Sequence, residues 1–212
     1  MTGDDEDLPR PLISALAGVK MALLSVASRP VPPCAAEDAV EMSTRAAVHE
    51  VVIAGLDLVE AALNGNLYPQ AASLIRQEIE AVEVVRGLRQ KRQEKNRTPR
   101  LKALRHLGRD YKMLTDLAHV TGFDLLRHLA LQEDGMVHFR RHKAMARHLL
   151  GLHIFALAGI SLDVSHLRPF SPTSFLSPLE DELIAGVMGV LAAEGLAVVK
   201  WQAPPFCPDQ IQ

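Results

Sequence analysis

The run LLGLHIFALAGISL, residues 149–162, constrains this chain more than any other stretch. It leaves no polar helix face, and a helix that is apolar all round has to be enclosed. At 14 residues with a histidine inside, it falls short of the roughly 20 that a bilayer span needs. It therefore predicts a buried helix, within a helical pattern from Ala144 to about Leu167. The remainder of the chain must supply the shell around it.

That shell reads as more helices. Hydrophobic residues make up 48% of the 212 positions but aromatics only 4%, which favours helices packed on helices over sheets. A first helix covers Leu12–Ala27 and ends at SRPVPPC, where consecutive prolines remove donors and restrict their neighbours. A long second helix is expected from Glu37 to Leu63, stopped by NGN at 64–66. A third begins near Pro69 and runs to about Gln93, and so short a link implies an antiparallel hairpin. After the polar stretch RQKRQEKNRTPR, Thr98 and Pro99 suit an N-cap and first turn. The fourth helix then carries Leu104, Leu107, Tyr111, Leu114 and Ala118, with Gly122 closing it.

Residues 125–142 admit two readings, a β-hairpin around the Asp-Gly step or a broken helix. The Pro/Ser-rich stretch 168–178 reads as a linker to a last helix, Leu179–Glu194. LAVVKWQ (196–202) reads as a short strand or as a tail docked by Trp201. The expected fold is all-α, an up-down bundle of about five or six helices, with a small β-hairpin near 126–142 as an option. Residues 1–168 form the bundle domain, and 169–212 a linker, helix and tail packed on it.

Several function classes are disfavoured. No Gly-x-x-x-x-Gly-Lys, Gly-x-Gly-x-x-Gly or Gly-x-Ser-x-Gly stretch occurs, so neither phosphate loops nor serine-hydrolase elbows are indicated. Cys34 and Cys207 are far apart and flanked by prolines, which makes neither a disulfide framework nor a metal cluster. The acidic start MTGDDEDLPRP lacks the basic region of a signal peptide, so a reduced, cytoplasmic setting without a membrane is expected. Asp116/His119 and Asp163/His166 are Asp-x-x-His pairs of the spacing used in di-metal bundles. Both lie near predicted helix ends and lack the companion glutamates, so no metal and no cofactor is expected, and a metal-dependent bundle enzyme ranks last.

The net charge of −2 hides a strong asymmetry. Residues 84–168 hold 17 bases against 7 acids, whereas 1–83 hold 13 acids against 5 bases. Arg89, Lys91, Arg92, Lys95, Arg97, Arg100, Lys102 and Arg105 concentrate at the tip between the third and fourth helices. Such a tip suits RNA or another polyanion through salt-sensitive phosphate contacts. Single-strand binders usually add aromatic platforms, however, and only Tyr111 is near. A solvated tip, or one neutralised by the acidic flanks, is the simpler account.

One pair of stretches carries a family likeness. ASLIRQEIEAVEVVRGL, followed after the basic link by YKMLTDLAHVT, resembles a bacterial all-helical domain-of-unknown-function family. That family has Leu-x-Arg-x-x-x-Glu on one helix, then a tyrosine, a Leu-Thr or Leu-Ser step and a terminal histidine on the next. The matching positions are Arg76, Glu80, Tyr111, Thr115 and His119, within residues 45–122. The resemblance implies a helical bundle of the kind discussed beside HEPN-type ribonucleases and abortive-infection proteins, with a role in bacterial stress or phage defence. Those ribonucleases carry arginine and histidine five to seven positions apart. Arg100/His106, Arg141/His148 and Arg147/His153 satisfy that spacing, but about two such matches arise by chance. Of them Arg141 and His148 are retained, because they open the most apolar helix.

The bottom-up reading of Arg76, Glu80, Tyr111 and His119 leaves two roles open. Either they meet as a functional polar site, or they only fix helix register, with His119 a capping histidine favoured by the helix dipole. The leading expectation is a helical binding protein, more a binder than an enzyme, self-associating through its apolar faces. The alternative is a HEPN-like nuclease or nucleic-acid-acting protein.

Overall fold

The computed structural model describes residues 9–33, 38–91, 101, 104–119, 121, 123–133, 136–139 and 141–196. They form an all-α bundle assembled around the apolar run. Helix α7, Lys143–Leu167, contains that run, and its 25 residues exceed the 14 read as apolar from sequence. It packs against α1 (Arg10–Ala27), α2 (Ala39–Ala54), α3 (Leu56–Asn64), α4 (Tyr68–Arg89) and α8 (Pro178–Ala193). Leu149, Ile154, Leu157, Ile160 and Val164 are sealed among these neighbours. By length and composition both α1 and α7 are apolar enough to cross a membrane, so the length argument against a span does not hold for the whole helix. Burial inside the bundle accounts for the apolar character of α7, 83% of whose most apolar window is enclosed.

The expected second helix is two. Its pattern breaks at Gly55, which separates α2 from α3 with φ −93° and ψ 0°. Glycine is a poor helix former, which suits it to the break, while the buried stripe Arg45, His49, Val52, Leu56, Val59 and Leu63 continues across it. The NGN stop is observed, with Asn66 taking the left-handed φ of 56° that asparagine tolerates. From there α4 starts at Tyr68 with Pro69 in its first turn and packs on α3 as the short link requires.

The fourth helix begins later than its sequence suggested. A 3-10 turn at Arg105–Leu107 leads into α5, Gly108–Ala118, and His119 is its C-cap. Leu101 and Leu104 are outside any helix, while Thr98, Pro99 and Gly122 lie outside the described residues. A short helix α6, Phe123–Leu129, precedes strands β1, Ala130–Glu133, and β2, Met136–Phe139. The strands pair antiparallel with Ala130 opposite Phe139 and Glu133 opposite Met136. The strand pairing agrees with the hairpin reading and α6 with the broken-helix reading, while the Asp134-Gly135 step lies outside the described residues.

Helix α8 packs on α1 and α7. Its start is held by a capping box in which Ser177 and Glu180 exchange hydrogen bonds. Glu180 also accepts from Ser25 Oγ at 2.7 Å and pairs with Arg29, tying the start of α8 to the end of α1. The Glu180 carboxyl lies below its usual range, because these donors outweigh the effect of burial. The tail beyond Leu196, including Trp201, lies outside the described residues.

Candidate functional site

Helix α4 has two working edges, one toward α5 and one toward α2. Arg76 and Glu80 are four apart on the first, and Leu74, Gln77, Glu78, Ala81 and Val84 spread over the second.

On the α5 side the sequence quartet assembles. Arg76 Nη1 lies 2.9 Å from His119 Nε2, and Arg76 Nε is 3.3 Å from Glu80 Oε1. The Tyr111 hydroxyl donates to the same Glu80 oxygen at 2.5 Å. A guanidinium can only donate, so His119 accepts at Nε2 and carries its proton on Nδ1. Partial burial, the Glu80 hydrogen bond and the Glu80 charge together push the Tyr111 phenol up to about 12. Tyr111 is therefore a protonated donor at neutral pH, unsuited to act as a base. His119 thus does more than cap α5, since it bridges to α4 from an exposed position. Thr115 bonds only its own helix, to the Tyr111 carbonyl at 2.8 Å.

On the α2 side, α2 and α4 part to leave an apolar groove of about 270 Å³. Val48, Val51 and Val52 form one wall, and Leu74, Ala81 and Val84 the other. The polar side chains on its lining are Gln77, Glu78 and Glu80, so Glu80 belongs to both edges of α4. Glu78 is 5% exposed and its Oε2 lies 2.8 Å from Nδ1 of the fully buried His153. His153 Nε2 has no hydrogen-bond partner among the described residues. Sequence reasoning missed this pair, although both residues carry a signal. Glu78 falls in the core register of Ile75, Ile79 and Val82, and His153 interrupts the most apolar run.

A second buried polar group ties α2, α4 and α7 together. Asp163 Oδ2 accepts from Arg45 Nε at 3.1 Å and lies 2.9 Å from His49 Nε2, and Arg89 Nη1 is 3.9 Å from Oδ1. Burial alone would raise the Asp163 carboxyl, but the His49 hydrogen bond and the Arg45 charge hold it below its usual range. Nearby His166 lies against Phe175, the rings tilted by 52° with centroids 4.0 Å apart. Burial, aided by the Arg89 and Arg45 charges, pushes its imidazole down to about 4. Arg45 and His49 carried no motif and were not singled out from the sequence.

The members of the two Asp-x-x-His pairs lie against other side chains. Asp116 bonds Lys112 while His119 bonds Arg76, and Asp163 is held by arginine and histidine. Among the described residues no group of three His, Cys, Asp or Glu is arranged to hold a metal ion. The basic tip is seen only at its root, where half-buried Arg86 and exposed Arg89 lie near Asp163 and Lys91 is exposed. Arg92, Lys95, Arg97, Arg100 and Lys102, and the side chain of Arg105, lie outside the described residues. Arg141 is exposed ahead of α7, and His148 Nε2 is instead 3.0 Å from Asp110 Oδ1. Arg147 bonds Glu194 at 2.7 Å, far from the buried environment of His153.

No family model matches the chain, and no curated protein or solved structure matches it.

Proposed function

We propose that this chain is a helical binding protein that takes a small, largely apolar ligand in the groove between α2 and α4. The observation that carries this reading is the groove itself, about 270 Å³ walled mainly by valine, leucine and alanine. A dry apolar cavity of about 150 Å³ suffices for benzene, and drug-sized ligands occupy roughly 300 Å³ or more. The groove therefore suits one ring or a short chain with a small substituent. Burying about 150 Å² of apolar ligand surface contributes roughly 4 kcal/mol before the cost of association. Such probes should bind at millimolar concentration or more weakly.

Titration of the full chain with 2-phenylethanol, followed by protein NMR, tests the reading. Methyl shifts should concentrate at Val48, Val52 and Leu74. Ala81→Phe, which fills the groove, should abolish them. Saturable shifts elsewhere, or none, would overturn it.

The exposed Arg76–His119 pair supports a second reading, in keeping with the helical nuclease-like resemblance. In that reading Arg76 leaves His119 for the phosphate, and the freed Nε2 takes the proton of a ribose 2′-hydroxyl as its oxygen attacks the phosphorus and the bond to the 5′-oxygen breaks, that oxygen taking a proton from water. Metal-free cleavage of a single-stranded RNA, lost in both Arg76→Ala and His119→Ala, is the required result.

A further inference from the structure

Four carboxylates are buried among the described residues, and one of them, Glu83, accepts from the Leu104 amide at 3.3 Å. Asp163 is held by Arg45, and Glu180 by Arg29. Glu78 has no lysine or arginine partner among the described residues; its one partner is His153. The Nδ1–H of His153 donates to Oε2, and Nε2 sits in the core with no partner among the described residues. The Glu78 carboxyl therefore has no lysine or arginine beside it among the described residues, at 5% exposure and on the wall of an apolar groove. Oε1 of Glu78 makes no hydrogen bond among the described residues, so it remains available to a donor from the groove.

We propose that the ligand of the α2/α4 groove is a small hydrophobic amine. Its apolar body lies against the valines of α2, and its ammonium group pairs with Glu78 Oε1. His153 acts as a positioning residue that holds the carboxylate by its other oxygen. The charge decides the chemistry: an ammonium offsets the desolvated carboxylate, whereas a neutral group leaves it unpaired and an anion is repelled. Glu80 is the weaker anchor, because its Oε1 already serves Arg76 and Tyr111. This inference rests on the groove reading above and adds the charge of the ligand to it.

The test compares 2-phenylethylamine with 2-phenylethanol, which share size and shape and differ in charge. The full chain should bind the amine at least ten-fold more tightly. Glu78→Gln, which keeps an acceptor for His153, should bring that ratio to about one while alcohol binding persists. Val51→Lys changes a residue that is 73% exposed, so the fold is not at risk. Whatever binding it costs, the loss should fall several-fold more heavily on the amine than on the alcohol. Equal binding of amine and alcohol, or a preference that survives both variants, would overturn the inference and leave the groove reading intact. Failure of both probes to bind would overturn the groove reading and the inference with it.

Discussion

Arg45 Nε lies 3.1 Å from Asp163 Oδ2 and joins α2 to α7 across 118 positions, with both residues nearly sealed from solvent. His49 Nε2 shares the same oxygen at 2.9 Å. Removing the Asp163 side chain takes the shared acceptor from buried His49 and leaves buried Arg45 with Glu41, at 3.4 Å, as its one carboxylate partner among the described residues. Asp163→Ala should therefore cost about 3–5 kcal/mol in urea unfolding. The double variant Arg45→Met, Asp163→Leu should lose much less, because it removes the charge together with its partner. Equal losses would show that Arg45 and Asp163 are not coupled.

His166 sets an acid limit on stability. Its folded pKa is depressed to about 4 from the usual 6.5, so between those values the unfolded chain binds the extra proton. Stability from this group is fully present above about pH 6.5 and is lost as the pH falls toward 4. Allowing for its partial exposure, the loss should reach about 2 kcal/mol. Asp163, also depressed, adds its own loss at still lower pH. Urea midpoints at pH 7 and pH 5 measure the first effect, and His166→Gln should flatten it.

Tyr111 should report the quartet spectroscopically. The chain has two tyrosines, so in a Tyr68→Phe background one phenol remains to titrate in the ultraviolet. It should ionise near 12, and Glu80→Gln should bring it down toward 10. Because the folded value is raised, this group's contribution falls as the pH rises from about 10 to 12. Titration near 10 in the parent protein would show that Tyr111 and Glu80 do not meet. Tyr111→Phe should cost about 1 kcal/mol at pH 7, the worth of one such hydrogen bond.

Two glycines of α8 occupy open space. A Cβ at Gly186 or Gly189 meets nothing within 4 Å. Alanine at either should stabilise the helix by about 0.5–1 kcal/mol, raising Tm by roughly 2–3 °C. Gly159 of α7 is the contrast, since its Cβ would lie 3.1 Å from a methyl of the buried Val82. There the propensity gain meets overpacking, and Gly159→Ala should lower Tm.

The candidate site was half legible in the sequence. Arg76 and Glu80 at i, i+4 and Tyr111 with His119 at i, i+8 place each pair on one edge of its own helix, because helical spacing is a local property. The Arg76–His119 contact spans 43 positions and depended on α4 and α5 packing side by side. The groove was not legible, since a gap between two helices is a fact of their separation. Glu78 and His153 were visible as polar residues in apolar register, but 75 positions part them and nothing local names one as the partner of the other.

By itself the sequence determined what short-range physics decides. Apolar periodicity set the helical class and the buried character of α7, and asparagine's tolerance of left-handed φ stopped α3 at NGN. The tertiary structure decided where α2 breaks and how late α5 begins, because packing overrides weak local preference. It alone decided the charge pairs. Arg45 settled on Asp163 and Arg29 on Glu180, and Glu78 was left with a histidine and a groove. A carboxylate's partner depends on which helices touch and how much water they exclude, and neither is written in the spacing of residues along the chain.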